Sequence, residues 1–305
     1  MDSALNNRSE RKFHISADAL KLFAFALITI AIIAGIFLYI NRPSSYDTLS
    51  LIEPKDGLEV HFLDVGQADA SLIICDGKAM LIDGGNAADS SFIYSYLKKY
   101  NIDSLEYIIC THPHEDHAGG LAGALNFAKA KKALCSYKEF DASPFESFLS
   151  YLEKQNVKIT VPRAGQKFRL GSAKFTVLAP ADPGHDNVNN DSLVLRLTYG
   201  KTSFLFTGDA EYEEEHEIID FGKKIKSTVL KVGHHGSSTS SCYEFLYKVD
   251  PQIAVISVGD NSYGHPSDEV LSRLEDCGAR VFRTDECGTI IMKSDGRSLE
   301  IITEK

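Results

Sequence analysis

The sequence predicts an α/β fold in which two stacked β-sheets are flanked by helices, preceded by one transmembrane helix. Three observations carry that expectation. Short apolar β-type runs and stretches with helical spacing alternate through both halves of the chain from Leu58 onward, the pattern of layered sheets covered by helices. No linker, repeat or low-complexity stretch interrupts residues 58–305, so they read as one domain. Residues 22–40 hold no charge over 19 positions, enough helix at about 1.5 Å per residue to cross a hydrocarbon core of about 30 Å. With 44% hydrophobic and 24% charged residues, the chain is neither disordered nor collagen-like. Its formal net charge of −10 argues against a broad basic surface that would hold nucleic acid by phosphate neutralisation alone.

Arg8, Arg11, Lys12 and Lys21 precede the apolar run, whereas Arg42 and Lys55 follow it. The positive-inside tendency therefore makes residues 1–21 a cytoplasmic tail and places the C-terminal domain outside the cell, on a single-pass membrane protein. A cleaved signal peptide is the alternative. Its apolar region should be about 7–15 residues and end at a small-x-small site, which Tyr39-Ile40-Asn41-Arg42-Pro43 does not offer. Residues 41–57, rich in Pro, Ser and Asp, read as a tether. Of the six cysteines, Cys75 and Cys110 end apolar strand-like runs and read as buried free thiols; the pairing of Cys135, Cys242, Cys277 and Cys287 stays open.

Within the domain, strands are expected at 58–64, 71–75, 79–83 and 106–111, with helices at 90–100 and 118–130. The second half repeats the mixture, with strands at 174–178, 193–199, 202–207, 228–232 and 253–258. Helices are expected there at 211–221, 241–248 and 267–277.

The informative residues lie where strands end. Ile108-Ile109-Cys110-Thr111 runs into His112-Pro113-His114-Glu115-Asp116-His117, four potential metal ligands within six residues. Imidazoles one residue apart in extended chain project the same way, so His112 and His114 can meet one ion, while the following turn can aim Asp116 and His117 at a second position. Imidazole with carboxylate suits zinc or a similar divalent ion, and two ions about 3.5–4 Å apart can clamp a displacement reaction.

This H-x-H-x-D-H loop after a strand resembles the signature of metallo-β-lactamase-fold hydrolases. The likeness covers most of residues 58–305. Phe62-Leu63-Asp64-Val65-Gly66-Gln67-Ala68-Asp69-Ala70, Leu81-Ile82-Asp83-Gly84-Gly85, Phe206-Thr207-Gly208-Asp209-Ala210, Leu230-Lys231-Val232-Gly233-His234-His235-Gly236-Ser237 and Tyr263-Gly264-His265-Pro266 recur in this order in one branch. That branch is the C-terminal hydrolase domain of ComEC-type DNA-internalisation competence proteins. The resemblance implies an αββα metallo-β-lactamase-like sandwich with two divalent ions, zinc foremost and manganese second. His112 and His114 would hold the first ion, Asp116 and His117 the second, and Asp209 would bridge them. Its other reading is the N-cap of the helix that follows.

His234 or His235 should complete the second position, with His234 slightly favoured. Asp83 would orient ligand imidazoles from behind, or merely occupy a turn; Asp64, Gln67 and Asp69 could line the cleft. His265 would face a phosphate or leaving group, and its other reading is a surface loop. Many relatives supply a further histidine where this chain has Asn189-Asn190-Asp191-Ser192, so the first ion is expected to be undercoordinated, held by Asn190 or water, or bound weakly. Ala68 stands where the branch usually has Gly.

The implied activity is metal-assisted hydrolysis of a phosphate ester, with Asp116, Asp209 and His265 catalytic. The substrate class would be a phosphodiester, with DNA or a cell-wall polymer as the larger partner. Hydrolysis of another bond (teichoic-acid phosphorylcholine, lactone or β-lactam) and a metal-binding module without catalysis are the alternatives.

Overall fold

The computed structural model describes residues 57–181 and 183–305, within one compact unit running from Leu51 to Lys305. The apolar run at 22–40, the tail before it and most of the tether lie outside the described residues. Among the described residues, no helix is long and apolar enough to cross a membrane.

Two sheets form the centre of the described residues. One orders Leu299–Thr303, Ile290–Ser294, Leu58–Phe62, Ser71–Cys75, Lys78–Ile82, Tyr107–Cys110, Ala133–Cys135 and Ile159–Thr160 side by side. The other orders Arg280–Arg283, Ile253–Ile256, Val229–Lys231, Thr202–Phe206, Val194–Tyr199, Ala173–Ala179 and Lys167–Leu170. Each sheet is part antiparallel and part parallel, and each has one strand where the pattern changes. Lys78–Ile82 pairs antiparallel with Ser71–Cys75 and parallel with Tyr107–Cys110. Thr202–Phe206 pairs antiparallel with Val194–Tyr199 and parallel with Val229–Lys231. These two pivot strands lead into Asp83 and Asp209.

Both faces of each sheet are covered, which explains why the strands read as near-continuous apolar runs rather than alternating ones. Outside the first sheet, Leu72, Leu81 and Ile108 pack with Ile93, Leu97, Leu121, Phe145 and Phe148 of the helices Ser90–Lys99, Leu121–Phe127 and Ser143–Lys154. Outside the second, Leu205, Leu230 and Ala254 pack with Ile218, Phe245, Leu246, Val270 and Leu274 of Tyr212–Asp220, Tyr243–Val249 and Asp268–Asp276. Between the sheets Phe62 meets Phe206, ring centroids 6.0 Å apart. The layers are helix, sheet, sheet, helix, and each buried Leu or Phe contributes about 1.5–3 kcal/mol.

The expected helix at 118–130 is shorter, Leu121–Phe127. Its start is delayed because Gly120 lies against the backbone of the Asp83 turn, where a Cβ would come within 1.9 Å of the Gly84 carbonyl oxygen. Its end is cut because Lys129–Ala130 pairs in parallel with Ser104–Leu105. The helix Ser143–Lys154 and the strands Ala133–Cys135, Ile290–Ser294 and Leu299–Thr303 fall in stretches to which the sequence reading assigned no element. All six cysteines carry free thiols, with Cys75, Cys110 and Cys135 buried.

Candidate metal centre

The site lies at the carboxyl ends of the parallel strands, where α/β proteins place their ligands. Four chain segments meet there. Tyr107–Cys110 delivers His112, and the short helix Glu115–Ala118 carries Asp116 and His117 with His114 as its N-cap residue. Thr202–Phe206 delivers Asp209, and Val229–Lys231 delivers the pair at 234–235. His234 and His235 both adopt left-handed backbone, φ 49° and 54°. Such conformations cost non-glycine residues of order 1 kcal/mol or more each and persist where surrounding structure enforces them. Here His234 N–H donates to the Gly208 carbonyl at 3.1 Å, and Ser237 N–H to the His234 carbonyl at 2.8 Å.

Asp116, His117, Asp209 and His235 converge, with one donor atom from each within 4.8 Å of the others. Asp209 Oδ1 lies 3.2 Å from His117 Nε2 and 3.7 Å from His235 Nε2. Asp116 Oδ2 lies 3.2 Å from His235 Nε2. The other oxygen, Asp209 Oδ2, is 3.9 Å from His112 Nε2 and 3.7 Å from His234 Nε2, and His112 Nε2 is 3.0 Å from His114 Nδ1. One carboxylate thus presents its two oxygens to two separate groups of imidazoles.

The bracing behind these rings decides what they offer. His117 Nδ1 donates to Asp83 Oδ2 at 3.0 Å, and Asp83 also accepts from Thr111 N–H at 2.7 Å and Thr111 Oγ1 at 2.9 Å. His235 Nδ1 donates to the Ser257 carbonyl at 2.9 Å and has Asp69 Oδ1 at 3.4 Å. With the Nδ1 protons directed away, both Nε2 atoms face the cluster as lone-pair donors. Asp69 is itself held by Lys231 Nζ at 2.8 Å, a buried ion pair. His112 Nδ1 lies 3.3 Å from Thr111 Oγ1 and 3.4 Å from Ser192 Oγ.

The electrostatics favour cations. Burial, with the neighbouring His117 next, holds His112 well below the usual imidazole range, so it is a neutral donor. Burial opposes protonation of His117 too, but Asp209, Asp116 and Asp83 outweigh it and push its pKa well up. His235 rises to about 10 as Asp209 and Asp69 overcome the effect of burial. Burial raises Asp116 and Asp209, yet the imidazoles win, bringing Asp116 to about 2 and Asp209 well below the carboxylate range. His117 Nε2 and Asp209 Oδ1 are buried and satisfied by no hydrogen bond. Such orphaned buried atoms are rare unless an ion or other partner completes them, and imidazole with carboxylate is the donor set of a divalent metal, whose binding would displace protons held there. The residues fit.

Of the pair at 234–235, the structure places His235 in the convergent group, whereas the sequence favoured His234. His234 instead sets Nδ1 3.2 Å from Glu211 Oε1 and its ring centroid 5.5 Å from that of His265. Asn190 is turned away from the first position. Its side-chain oxygen accepts from Glu211 N–H at 3.0 Å and its amide nitrogen donates to Glu213 at 3.2 Å. Asp64 also lies apart, accepting from Gly66 N–H and pairing with Lys305 at 3.2 Å. Gln67 reaches the His265 loop, 3.5 Å from His265 Nδ1, with its oxygen 3.4 Å from Gly259 N–H.

Thr111, Ser192, Glu211 and Lys231 were not singled out as site residues from sequence. Lys231 left a signal, a charge inside the apolar run Val229-Leu230-Lys231-Val232.

Residues 63–260 match the model of the metallo-beta-lactamase superfamily. The chain belongs to that superfamily. Among curated proteins, this superfamily member is similar to ComE operon protein 3 of Bacillus subtilis, 34% identical over 76% of this chain and 32% of that protein. It is also similar to Recombination protein 2 of Haemophilus influenzae, 32% identical over 81% of this chain and 30% of that protein. The chain spans about a third of the length of these relatives. Among solved structures it resembles the metallo-beta-lactamase fold protein YhfI of Bacillus subtilis, with a TM-score of 0.54 and 16% identity over 78% of this chain and 100% of that one; this likeness shows the fold. The chain is thus a metal-dependent hydrolase of the metallo-beta-lactamase superfamily with competence-protein homologues.

Proposed function

We propose that the chain is a membrane-anchored phosphodiesterase whose centre takes two divalent ions, zinc foremost. The observation that carries the reading is the Asp209 carboxylate, Oδ1 toward His117 and His235, Oδ2 toward His112 and His234. Asp116, His117, His235 and Asp209 would hold one ion, and His112, His114 and Asp209 the other. When bound, the pair supplies Lewis acidity and a water nucleophile of lowered pKa.

The remaining steps belong to the chain's own residues. Asp116, partly exposed beside His235, would orient the nucleophile through Oδ2. Burial and then the nearby His234 hold the His265 pKa below the ordinary value, so its ring is neutral near pH 7. The Gln67 amide beside Nδ1, its orientation set by Gly259 N–H, leaves the His265 proton on Nε2. From there it can donate to charge developing on phosphate oxygens. Tyr263, 74% exposed, stands next to it with ring centroids 5.7 Å apart, giving an aromatic face at the rim for a group attached to the phosphate. A relative named for recombination supports DNA as the polymer. The uncharged run at 22–40 and its basic flank support the anchor, with the domain outside the cell.

The test is hydrolysis by the purified chain of a panel comprising an aryl phosphodiester, a phosphomonoester, a lactone and a β-lactam, alongside metal analysis. Diester turnover that disappears together with metal in Asp209→Asn supports the reading. Turnover confined to the lactone or the β-lactam overturns it. For the anchor, protease added to intact cells should release the domain; full protection until lysis would refute the topology.

A further inference from the structure

The second sheet has a different chemistry at its opposite edge. Thr202 and Ser203 begin the strand whose far end leads to Asp209, and Thr228 precedes the strand leading to His234 and His235. Five residues at about 3.3 Å each separate that edge from the metal centre. There Arg196, Lys201, Lys224 and Lys226 line a cavity of 460 Å³. Lys226 pairs with Asp250 on the same wall.

Three features set this groove apart from a scatter of surface lysines. The chain carries a net −10, so cations gathered in one concavity stand against an acidic background, and a concave low-dielectric wall focuses their field. Arg196 is half-buried and already fixed. Its Nε donates to the Lys226 carbonyl at 3.0 Å and to Ser227 Oγ at 3.2 Å, and its Nη2 to the same carbonyl at 2.6 Å. A guanidinium held this way loses little freedom on meeting an anion. Finally, Lys224 and Lys226 sit on the connection Phe221-Gly222-Lys223-Lys224-Ile225-Lys226, which brings a third lysine into the same stretch. A fixed guanidinium and exposed ammonium groups in one hollow are the chemistry of phosphate recognition.

We infer that this groove binds a phosphate group of an anionic ligand, at a site separate from the metal centre. The ligand is small, a lipid headgroup or free phosphate. Both present the same oxygens, and the experiment tells them apart.

The full chain in neutral detergent and its Lys201→Glu/Lys224→Glu variant, both positions exposed, are titrated at low salt with three probes: inorganic phosphate, glycerophosphoglycerol and a short single-stranded oligonucleotide. Both proteins keep the same metal centre, so the difference between isotherms reports the groove. The variant should melt with the parent, hydrolyse a small diester at the parent's rate, and bind phosphate about tenfold or more weakly, the gap narrowing as salt rises. A loss with glycerophosphoglycerol larger than with inorganic phosphate marks a lipid headgroup, a loss no larger marks free phosphate, and a loss confined to the oligonucleotide overturns the inference. Isotherms that superimpose for all three probes overturn the inference, whether or not the diester is hydrolysed. A chain that hydrolyses no diester yet shows the difference keeps the groove and loses only the proposed catalysis.

Discussion

The two halves of the candidate centre are built unequally. On the side of Asp116, His117 and His235, four donor groups converge and two rings are pinned from behind, His117 by Asp83 and His235 by the Ser257 carbonyl and Asp69. On the side of His112 and His114, Asp209 Oδ2 faces His112 alone of the two rings, His114 meets the His112 Nε2, and the segment Val188–Asp191 sends its side chains elsewhere, Asn190 to Glu211 and Glu213 and Asp191 to Tyr137 and His185. The difference teaches that the ligand count read along a motif is not the strength of a site. Strength comes from the groups behind the ligands, which fix tautomer and ring orientation before an ion arrives.

The largest effect should come from the atom group common to both halves. Asp209→Asn keeps size but removes the charge facing both groups of imidazoles, so metal content at both positions and diester turnover should fall together, by more than the 10–100-fold, roughly, that follows loss of a residue behind a ligand. Elemental analysis with parallel kinetics checks this. Retention of both ions would mean that Asp209 joins nothing. Next come the single ligands, which sharpen the contrast. His117→Ala should empty the braced position, whereas His112→Ala should affect the ion that dialysis of the parent is expected to remove first. Equal retention half-times for the two ions in the parent would erase the asymmetry.

Much of this was legible in sequence, and the reasons are local. His112, His114, Asp116 and His117 are contiguous, so spacing alone groups them, and Asp209 was marked by the turn after a strand. The choice between His234 and His235 was hidden, because it depends on two consecutive left-handed residues that no periodicity announces. The fate of Asn190 was hidden for a related reason: an amide can ligate or cap, and only the approach of the helix Tyr212–Asp220 decides it. In the fold, Ser71–Cys75 matches its expected bounds because apolar strands between turns are self-announcing. Gly120 against Gly84 is a tertiary contact, so it shortened a helix without local warning.

A smaller effect tests the bracing itself. Asp69→Asn keeps a hydrogen-bond acceptor near His235 but unpairs the buried Lys231, and metal affinity at the braced position should drop about 10–100-fold while the other position is unchanged. Adding Lys231→Met removes the uncompensated charge, whose burial without a partner costs about 3–5 kcal/mol. The double variant should therefore recover melting temperature without recovering affinity. Recovery of both would make the pair a packing feature rather than support for His235.

The smallest effect concerns the ground under the weaker half. The helix Tyr212–Asp220, to which Asn189 and Asn190 are tied through Glu211 and Glu213, carries Glu214 fully buried with neither carboxylate oxygen hydrogen-bonded. Burial, reinforced by Asp191, Glu217 and Glu215, pushes its pKa well above 4.5. The folded state thus binds a proton that the unfolded chain releases once pH passes the unfolded value. Stability is fully present below about pH 4.5 and declines as pH rises toward the folded pKa.

Glu214→Gln needs no such proton. It should be close to neutral in stability at pH 4 and should stabilise increasingly above about pH 4.5, by about 1.4 kcal/mol for each pH unit up to the folded pKa of the parent's carboxyl. Metal retention at the His117 position should not change. Denaturant melts of parent and variant at pH 4 and pH 8 measure it. A gain that is the same at both would show that Glu214 does not titrate across this range, and a loss at pH 8 would show that its carboxylate has a partner which stabilises it.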